Sequence, residues 1–341
     1  ANRMYKQLLI PLDESQLSMQ VLESGVRMAE VHGAHVTFLY LSPQDNEVNR
    51  EDAGLLHAMA PELFARKYLW RDGYIKARAT GWARTANISA DFISEVCDDS
   101  IADTILAKAT ELQADLILMG THWRRSLIER LFGSVLLKVV QQTRIPVLVA
   151  AVGEEQESAQ QQVIREFREN HAIWIALIEQ LELCLQAPDC LTENDELVGM
   201  LLTAIQNFAL VIRDFRQEPA LQQLHQISDN VSATHTDTND NLPQESRLIA
   251  ALMDVCLVPE KWNLDVARAT ARQLGQHIIQ QVTEDNHHLV SKASEQLSEQ
   301  DFEQALATLN QTQWRALRKA RQQDLGTLLS RLNTEMNRSK T

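Results

Sequence analysis

ADLILMGTHWRRSLIERLFGS, residues Ala114 to Ser134, is the stretch that decides the fold. The apolar run from Asp115 to Met119 predicts a buried strand, and Gly120 is expected to end it. An amphipathic turn follows, and Gly133 with Ser134 then opens a helix predicted over Val135 to Gln142. Glycine at the end of a parallel strand lets backbone N–H groups approach a ligand with no Cβ in the way. A Gly-Ser pair at a helix start offers unpaired N–H donors and the positive end of a dipole, which suits a phosphate. Trp123 works against this layout. It stands where such a loop takes a third small residue, and a bulky side chain at positive φ is strained.

Outward from this stretch, residues 5–150 alternate apolar runs with helical patterns, the signature of a parallel sheet covered on both faces. The predicted strands are Gln7 to Pro11, His35 to Leu41, Ile88 to Val96, Asp115 to Met119 and Pro146 to Ala150. Helices are predicted at Ser18–His32, Ala53–Thr85, Ser100–Leu112 and Val135–Gln142. The result is a doubly wound α/β sheet of five strands, in which ligands bind beyond the carboxyl ends of the strands. Pro11 to Ser15, Leu39 to Ser42 and Met119-Gly120 should meet at that edge. Asp13, at a strand end, has two readings: acceptor for an adenine amino group or ribose hydroxyl, or, with Ser15, cap of the following helix. The last strand, Pro146 to Val152, is expected at a sheet edge, where an apolar strand needs a partner, either the same strand of a second copy or the second domain of the same chain.

The chain has 341 residues and a formal net charge of -14, a length that suits two domains. Residues 1–150 carry 16 Lys+Arg against 18 Asp+Glu, and residues 151–341 carry 16 against 28. An acidic second half repels phosphate backbones, which argues against nucleic acid. Cys97, Cys184, Cys190 and Cys256 show no CxxC spacing and read as reduced thiols of a cytoplasmic protein. No apolar run reaches the roughly 18–20 residues of a membrane span.

Residues 4–150 resemble a universal stress protein domain. The resemblance rests on Leu9-Ile10-Pro11-Leu12-Asp13, on Ala114 through His122, on Gly133-Ser134-Val135 and on Ile145 to Val149. ATP-binding members of that family carry Gly-x2-Gly-x9-Gly-(Ser/Thr). Gly120 and Gly133-Ser134 match at the family spacing, and Trp123 replaces the middle glycine. The resemblance implies adenosine near Pro11, Asp13 and Leu41. It implies phosphates on Gly120, Gly133, Ser134 and Val135, with Met119 beside them, and dimer formation through the last strand. Arg124, Arg125 and Arg130 either hold phosphates or form a solvated helix face. His122 has no nucleophile and orienting acid to work with, so no catalytic residue is expected.

After Gly153 the pattern becomes helical. A linker is expected over 153–162, between a first domain at 4–152 and an all-α antiparallel bundle at 163–337. Ile164, Phe167, His171, Trp174, Ile178, Leu181 and Leu185 recur at steps of 3 and 4, which predicts a helix burying one narrow stripe. A second helix runs from Leu197 to Phe215. Ser228 to Pro243 reads as a loop. Further helices are expected at Gln244–Val255, Asn263–Lys292, Glu299–Ala320 and Gln323–Asn337. Around His171, His277, Glu284-Asp285 and Leu297 to Phe302 the bundle is weakly similar to hemerythrin-like proteins. Gln281 stands one turn after His277, however, and the second helix has no histidine. No metal is therefore predicted, and His171 reads as a structural core histidine.

These readings converge on a non-enzymatic stress-response protein that binds ATP or another adenine nucleotide and carries a helical interaction domain. Two alternatives stand beside it: an adaptor whose loop has lost the nucleotide, and a metal-binding bundle sensor. The partners expected are a second copy of the chain and a protein bound through the bundle, with no membrane and no nucleic acid.

Overall fold

A computed structural model of the chain describes residues 4–13, 16–43, 70–97, 100–123, 134–153, 158–186, 195–217, 243–291, 297–311 and 324–332. The chain divides into two compact units, Ala1–Gln156 and Glu157–Thr341.

The first unit runs β1 (Gln7–Leu12), α1 (Gln16–His32), β2 (His35–Pro43), α2 (Trp70–Thr85), β3 (Ala90–Cys97), α3 (Ile101–Glu111), β4 (Leu116–Trp123), α4 (Ser134–Gln142) and β5 (Val147–Gly153). The five strands form one parallel sheet in the order β3-β2-β1-β4-β5. Successive side chains alternate between its faces. Leu9, Leu39, Leu41, Ile117 and Met119 pack with Ala102, Ile105, Leu136 and Val139 of α3 and α4. Ile10 and Leu118 face the other way, toward α1, where Gly25 allows a close approach. A Cβ there would meet Ile10 Cδ1 and come within 3.0 Å of Leu118 Cδ2.

Three of the helices end alike. Gly33, Asn87 and Gln113 sit at φ 59°, 53° and 53°, the left-handed cap that lets the next N–H reach back to an orphan carbonyl. Ala34 N–H donates to Ala29 O, Ile88 N–H to Ala83 O and Ala114 N–H to Ala109 O, at 3.0, 2.9 and 2.9 Å. Each helix is thus turned at once into the following strand.

The predicted strands and helices of this unit all occur, with shifted ends. The main correction concerns β4, which does not stop at Gly120 but continues to Trp123 in register with β5, Gly120 opposite Ala150 and Trp123 opposite Gly153. A ladder partner with small residues at Ala150, Ala151 and Gly153 lets the strand run on. Of the predicted 53–85 helix, Trp70–Thr85 is described and the part before Trp70 lies outside the described residues.

The second unit is helical: α5 (Ala159–Gln186), α6 (Asp195–Gln217), α7 (Gln244–Leu257), a 3-10 turn (Pro259–Lys261), α8 (Leu264–Ser291), α9 (Glu299–Leu309) and a helix at 324–332. α5 packs against α6, α8 and α9, and α7 packs against α6 and α8. The narrow stripe expected on α5 is corrected: every residue from His171 to Ile178 is buried, because neighbours on several sides cover the whole turn. Residues 159–162, expected in the linker, form the first turn of α5, with Ser158 Oγ accepting the Gln161 N–H at 3.2 Å. α9 stops at Leu309 rather than Ala320, its end satisfied by the Asn310 N–H on Leu306 O at 2.9 Å. The Ser228–Pro243 loop lies, up to residue 242, outside the described residues. Cys184 and Cys256 are free thiols. Burial pushes Cys256 up to about 11, which keeps it protonated at neutral pH.

Candidate functional site

The sheet order reverses between β1 and β4, since the chain winds outward through β2 and β3 on one side and through β5 on the other. Such a switch point is where doubly wound sheets open a crevice at their carboxyl edge. Here the opening is visible in the ladder itself. β1 and β4 pair at Leu8–Leu116 and Leu9–Ile117 and then part, while β1 stays paired with β2 up to Leu12–Tyr40 and β4 with β5 up to Trp123–Gly153. Each strand keeps its outer neighbour and loses its inner one. Pro11 stands on the freed part of β1, and having no N–H it has none to leave unpaired there.

The base of this opening is tightly held. The Asp115 carboxylate accepts the backbone N–H groups of Lys6 and Gln7 at 2.8 and 3.0 Å, which ties the start of β1 to the start of β4. Sequence reading took Asp115 only as a strand residue. A carboxylate directly before an apolar run is the signal that was available.

Asp13 lies just past β1 and is exposed. Its backbone N–H donates to Ser18 Oγ at 2.8 Å, and the Ser18 hydroxyl donates to Asp13 Oδ1 at 2.6 Å. The carboxylate is therefore tied to the first turn of α1 through the Ser18 hydroxyl. Leu41 and Met119 are both core residues, each 8% exposed and packed in one cluster with α3 and α4. Gly120 is half-buried within β4.

Ser134 is the first residue of α4, and Val135 packs partly buried against the same cluster. Gly133, Arg124, Arg125 and Arg130 lie outside the described residues. Lys138 links α4 to the start of α3, its Nζ donating to Asp103 Oδ2 at 2.6 Å and to Ser100 Oγ at 2.9 Å. The Lys138 hydrogen bond, with one from Ser100, holds the Asp103 carboxyl below its ordinary value of 3.8. Trp123 is corrected in one respect. Among the described non-glycine residues positive φ belongs to Asn87 and Gln113, so Trp123 is ordinary strand backbone and no strain argument applies to it.

In the helical unit, no group of three or more His, Cys, Asp or Glu able to hold a metal occurs among the described residues. His171 is 2% exposed. His277 Nε2 lies 3.5 Å from Glu245 Oε2 on α7. The Leu297 to Phe302 stretch, weakly similar to a ligand-bearing helix, is a capping box: Ser298 N–H donates to Asp301 Oδ2 at 2.9 Å, and Asp301 N–H returns to Ser298 Oγ at 3.4 Å. No helix among the described residues is long and apolar enough to cross a membrane.

The first unit is thus a doubly wound parallel α/β domain open at its switch point. Residues 4–151 match the model of the universal stress protein family, and over those residues the chain carries a domain of that family. A universal stress protein of Methanocaldococcus jannaschii is 27% identical over 146 residues, 43% of this chain and 82% of that one. Universal stress protein YxiE of Bacillus subtilis is 27% identical over 150 residues, 43% of this chain and 99% of that one. Among solved structures, a universal stress protein from Archaeoglobus fulgidus in complex with dAMP is 21% identical with a TM-score of 0.30, covering 43% of this chain and 98% of that one.

Proposed function

We propose that the protein is a non-enzymatic, cytoplasmic stress-response protein whose β1/β4 crevice binds ATP or another adenine nucleotide. In this reading adenosine lies near Pro11, Asp13 and Leu41. The phosphates lie along Met119 and Gly120 and at the start of α4, on Gly133, Ser134 and Val135. The observation that carries it is the early parting of β1 from β4 after Leu9–Ile117, beyond which lie Asp13, just past β1, and Gly120, within β4. The start of α4 adds unpaired N–H groups and a positive dipole end for a phosphate. A bound nucleotide would fasten the Gly120 and Gly133 segments together. The helical unit supplies the surface for a protein partner, and the chain works as a homodimer through β5.

The test is direct. Heat-denature freshly purified protein, separate the supernatant by ion exchange, and titrate nucleotide-free protein with ATP calorimetrically. An adenine nucleotide in the supernatant, or saturable binding, supports the reading; neither result at saturating ATP sinks it. A second reading, an adaptor that has lost the nucleotide, is favoured by Trp123 at the position of a family glycine. It expects binding only after Trp123→Gly.

A further inference from the structure

At the amino end of the sheet, away from the proposed nucleotide crevice, β2 and β3 bring a histidine, a serine and an aspartate together. The two strands run parallel with Val36 opposite Ala90 and Thr37 opposite Asp91. The Val36 N–H donates to Ser89 O at 3.0 Å, which sets Ser89 beside His35. Side chains alternate along a strand, so His35, Ser89 and Asp91 project from one face. His35 Nδ1 lies 2.8 Å from Ser89 Oγ, and His35 Nε2 lies 3.1 Å from Asp91 Oδ2. The histidine is 54 residues from the serine and 56 from the aspartate in sequence, so the sheet register alone assembles the set.

The chemistry of the groups gives both bonds a direction. An ionised carboxylate only accepts, so Asp91 takes the Nε2 proton of a neutral ring and leaves the lone pair on Nδ1. The Ser89 hydroxyl then donates to Nδ1. A hydroxyl held by a base, with the base oriented by an acid, is the layout of an activated nucleophile. The ring is turned round from the serine-protease template, in which Nε2 faces the serine, but either ring nitrogen can receive the proton. The Asp91 side chain is 74% exposed and that of His35 28%. Ser89 is exposed as well, so an electrophile reaches its hydroxyl directly from solvent.

We propose that Ser89 is a self-acylating nucleophile that takes the acyl group of an activated ester, with His35 as its general base and Asp91 positioning His35. Ser89 Oγ attacks the carbonyl carbon and its proton passes to His35 Nδ1. The bond from that carbon to the leaving oxygen breaks, and the leaving group departs with the electron pair. An activated ester suits the site because its leaving group departs without first being protonated. The step ends with the acyl group on Ser89 and the proton on the imidazole, from which it returns to solvent.

The probe is p-nitrophenyl acetate, added to full-length protein, with acetylated positions quantified over time by tandem mass spectrometry. Ser94, exposed on the same strand, is the internal reference. Ser89 should acetylate at least about ten-fold faster than Ser94. Its rate should rise with pH as the imidazole loses its proton. His35→Gln can still hydrogen-bond the hydroxyl but cannot take its proton. It should slow Ser89 at least about ten-fold and abolish that rise. Asp91→Asn, whose amide can donate to Nε2 and turn the lone pair away from Ser89, should slow the reaction, and Asp91→Glu should slow it less. Circular dichroism verifies that each variant is folded. Equal rates at Ser89 and Ser94, or an unchanged Ser89 rate in folded His35→Gln, overturns the assignment. ATP titration of Ser89→Ala should match the parent, because the crevice lies at the opposite, carboxyl edge of the sheet; failure here and failure of the nucleotide reading are thus told apart.

Discussion

The Ser18 hydroxyl stands between the two ends of Asp13, accepting its backbone N–H at 2.8 Å and donating to its Oδ1 at 2.6 Å. A side chain on α1 thereby sets the direction of a carboxylate at the mouth of the crevice. The pair lies five residues apart, so the arrangement is local, and Ser18 is itself 9% exposed, which shields the bonds from competing water.

Ser18→Ala removes both bonds and should lower stability by about 1 kcal/mol, read from urea unfolding. ATP affinity should fall with it, because the carboxylate loses a hydroxyl that helps orient it. Asp13→Asn should weaken ATP more than it weakens the fold. Unaltered calorimetric affinity in both variants would remove Asp13 from the site.

Gly25→Ala should destabilise the first unit by about 1–3 kcal/mol through overpacking, since its Cβ would meet Ile10 Cδ1 and Leu118 Cδ2 beneath α1. Ile10→Val deletes the offending methyl. The double variant should therefore lose less than the sum of the single ones. Additive losses would mean that the contact is relieved elsewhere.

Trp123→Gly should raise ATP affinity at least ten-fold. The strand pairing of Trp123 with Gly153 shows that the backbone itself tolerates a large residue, so bulk is what the substitution removes. A calorimetric titration decides, with the thermal midpoint as a control for the weakened strand.

Acid should act on the ties at helix starts. Asp301 is held below its ordinary 3.8 by the side-chain and backbone hydrogen bonds of Ser298, and Asp103 by Lys138 first. A carboxylate depressed on folding contributes stability that is present above its unfolded value and is lost as pH falls through the folded one. Carboxyl NMR should show Asp301 titrating below 3.8 in the parent and higher than in the parent in Ser298→Ala, which keeps the backbone bond and loses the hydroxyl. Lys108 has the opposite sense. Glu111 first and then Glu95 raise it above 10.5, so its contribution is present at neutral pH and lost in strong alkali as pH climbs through the raised value.

β5 has β4 on one side and, among the described residues, no strand on the other, and Leu148 is 40% exposed. Leu148→Lys should shift a dimer toward monomer in analytical ultracentrifugation, lysine being a common guard of open edges. A parent that sediments as a monomer at all concentrations would refute pairing through this strand.

Much of the architecture was readable before any coordinates. The apolar runs place β2, β3 and β4 because a short run of buried residues declares itself locally, while the caps at Gly33, Asn87 and Gln113 came to light with the structure. Ser134 stood out for the same reason, as a helix start needs only neighbouring residues, whereas Gly120, expected to end its strand, lies inside β4. The Ser298–Asp301 box belongs to this group too: two residues three apart declare a helix start on their own.

What the chain alone left open depended on partners distant in sequence. β4 runs past Gly120 because β5 pairs with it as far as Gly153. α5 is buried all round from His171 to Ile178 because several helices surround it. The opening between β1 and β4 exists only once separate segments lie side by side. Local propensity and spacing determined the elements and their order; the register of the sheet and the surroundings of each helix were decided by tertiary packing, since a contact between remote residues leaves no periodic trace in either one's neighbourhood.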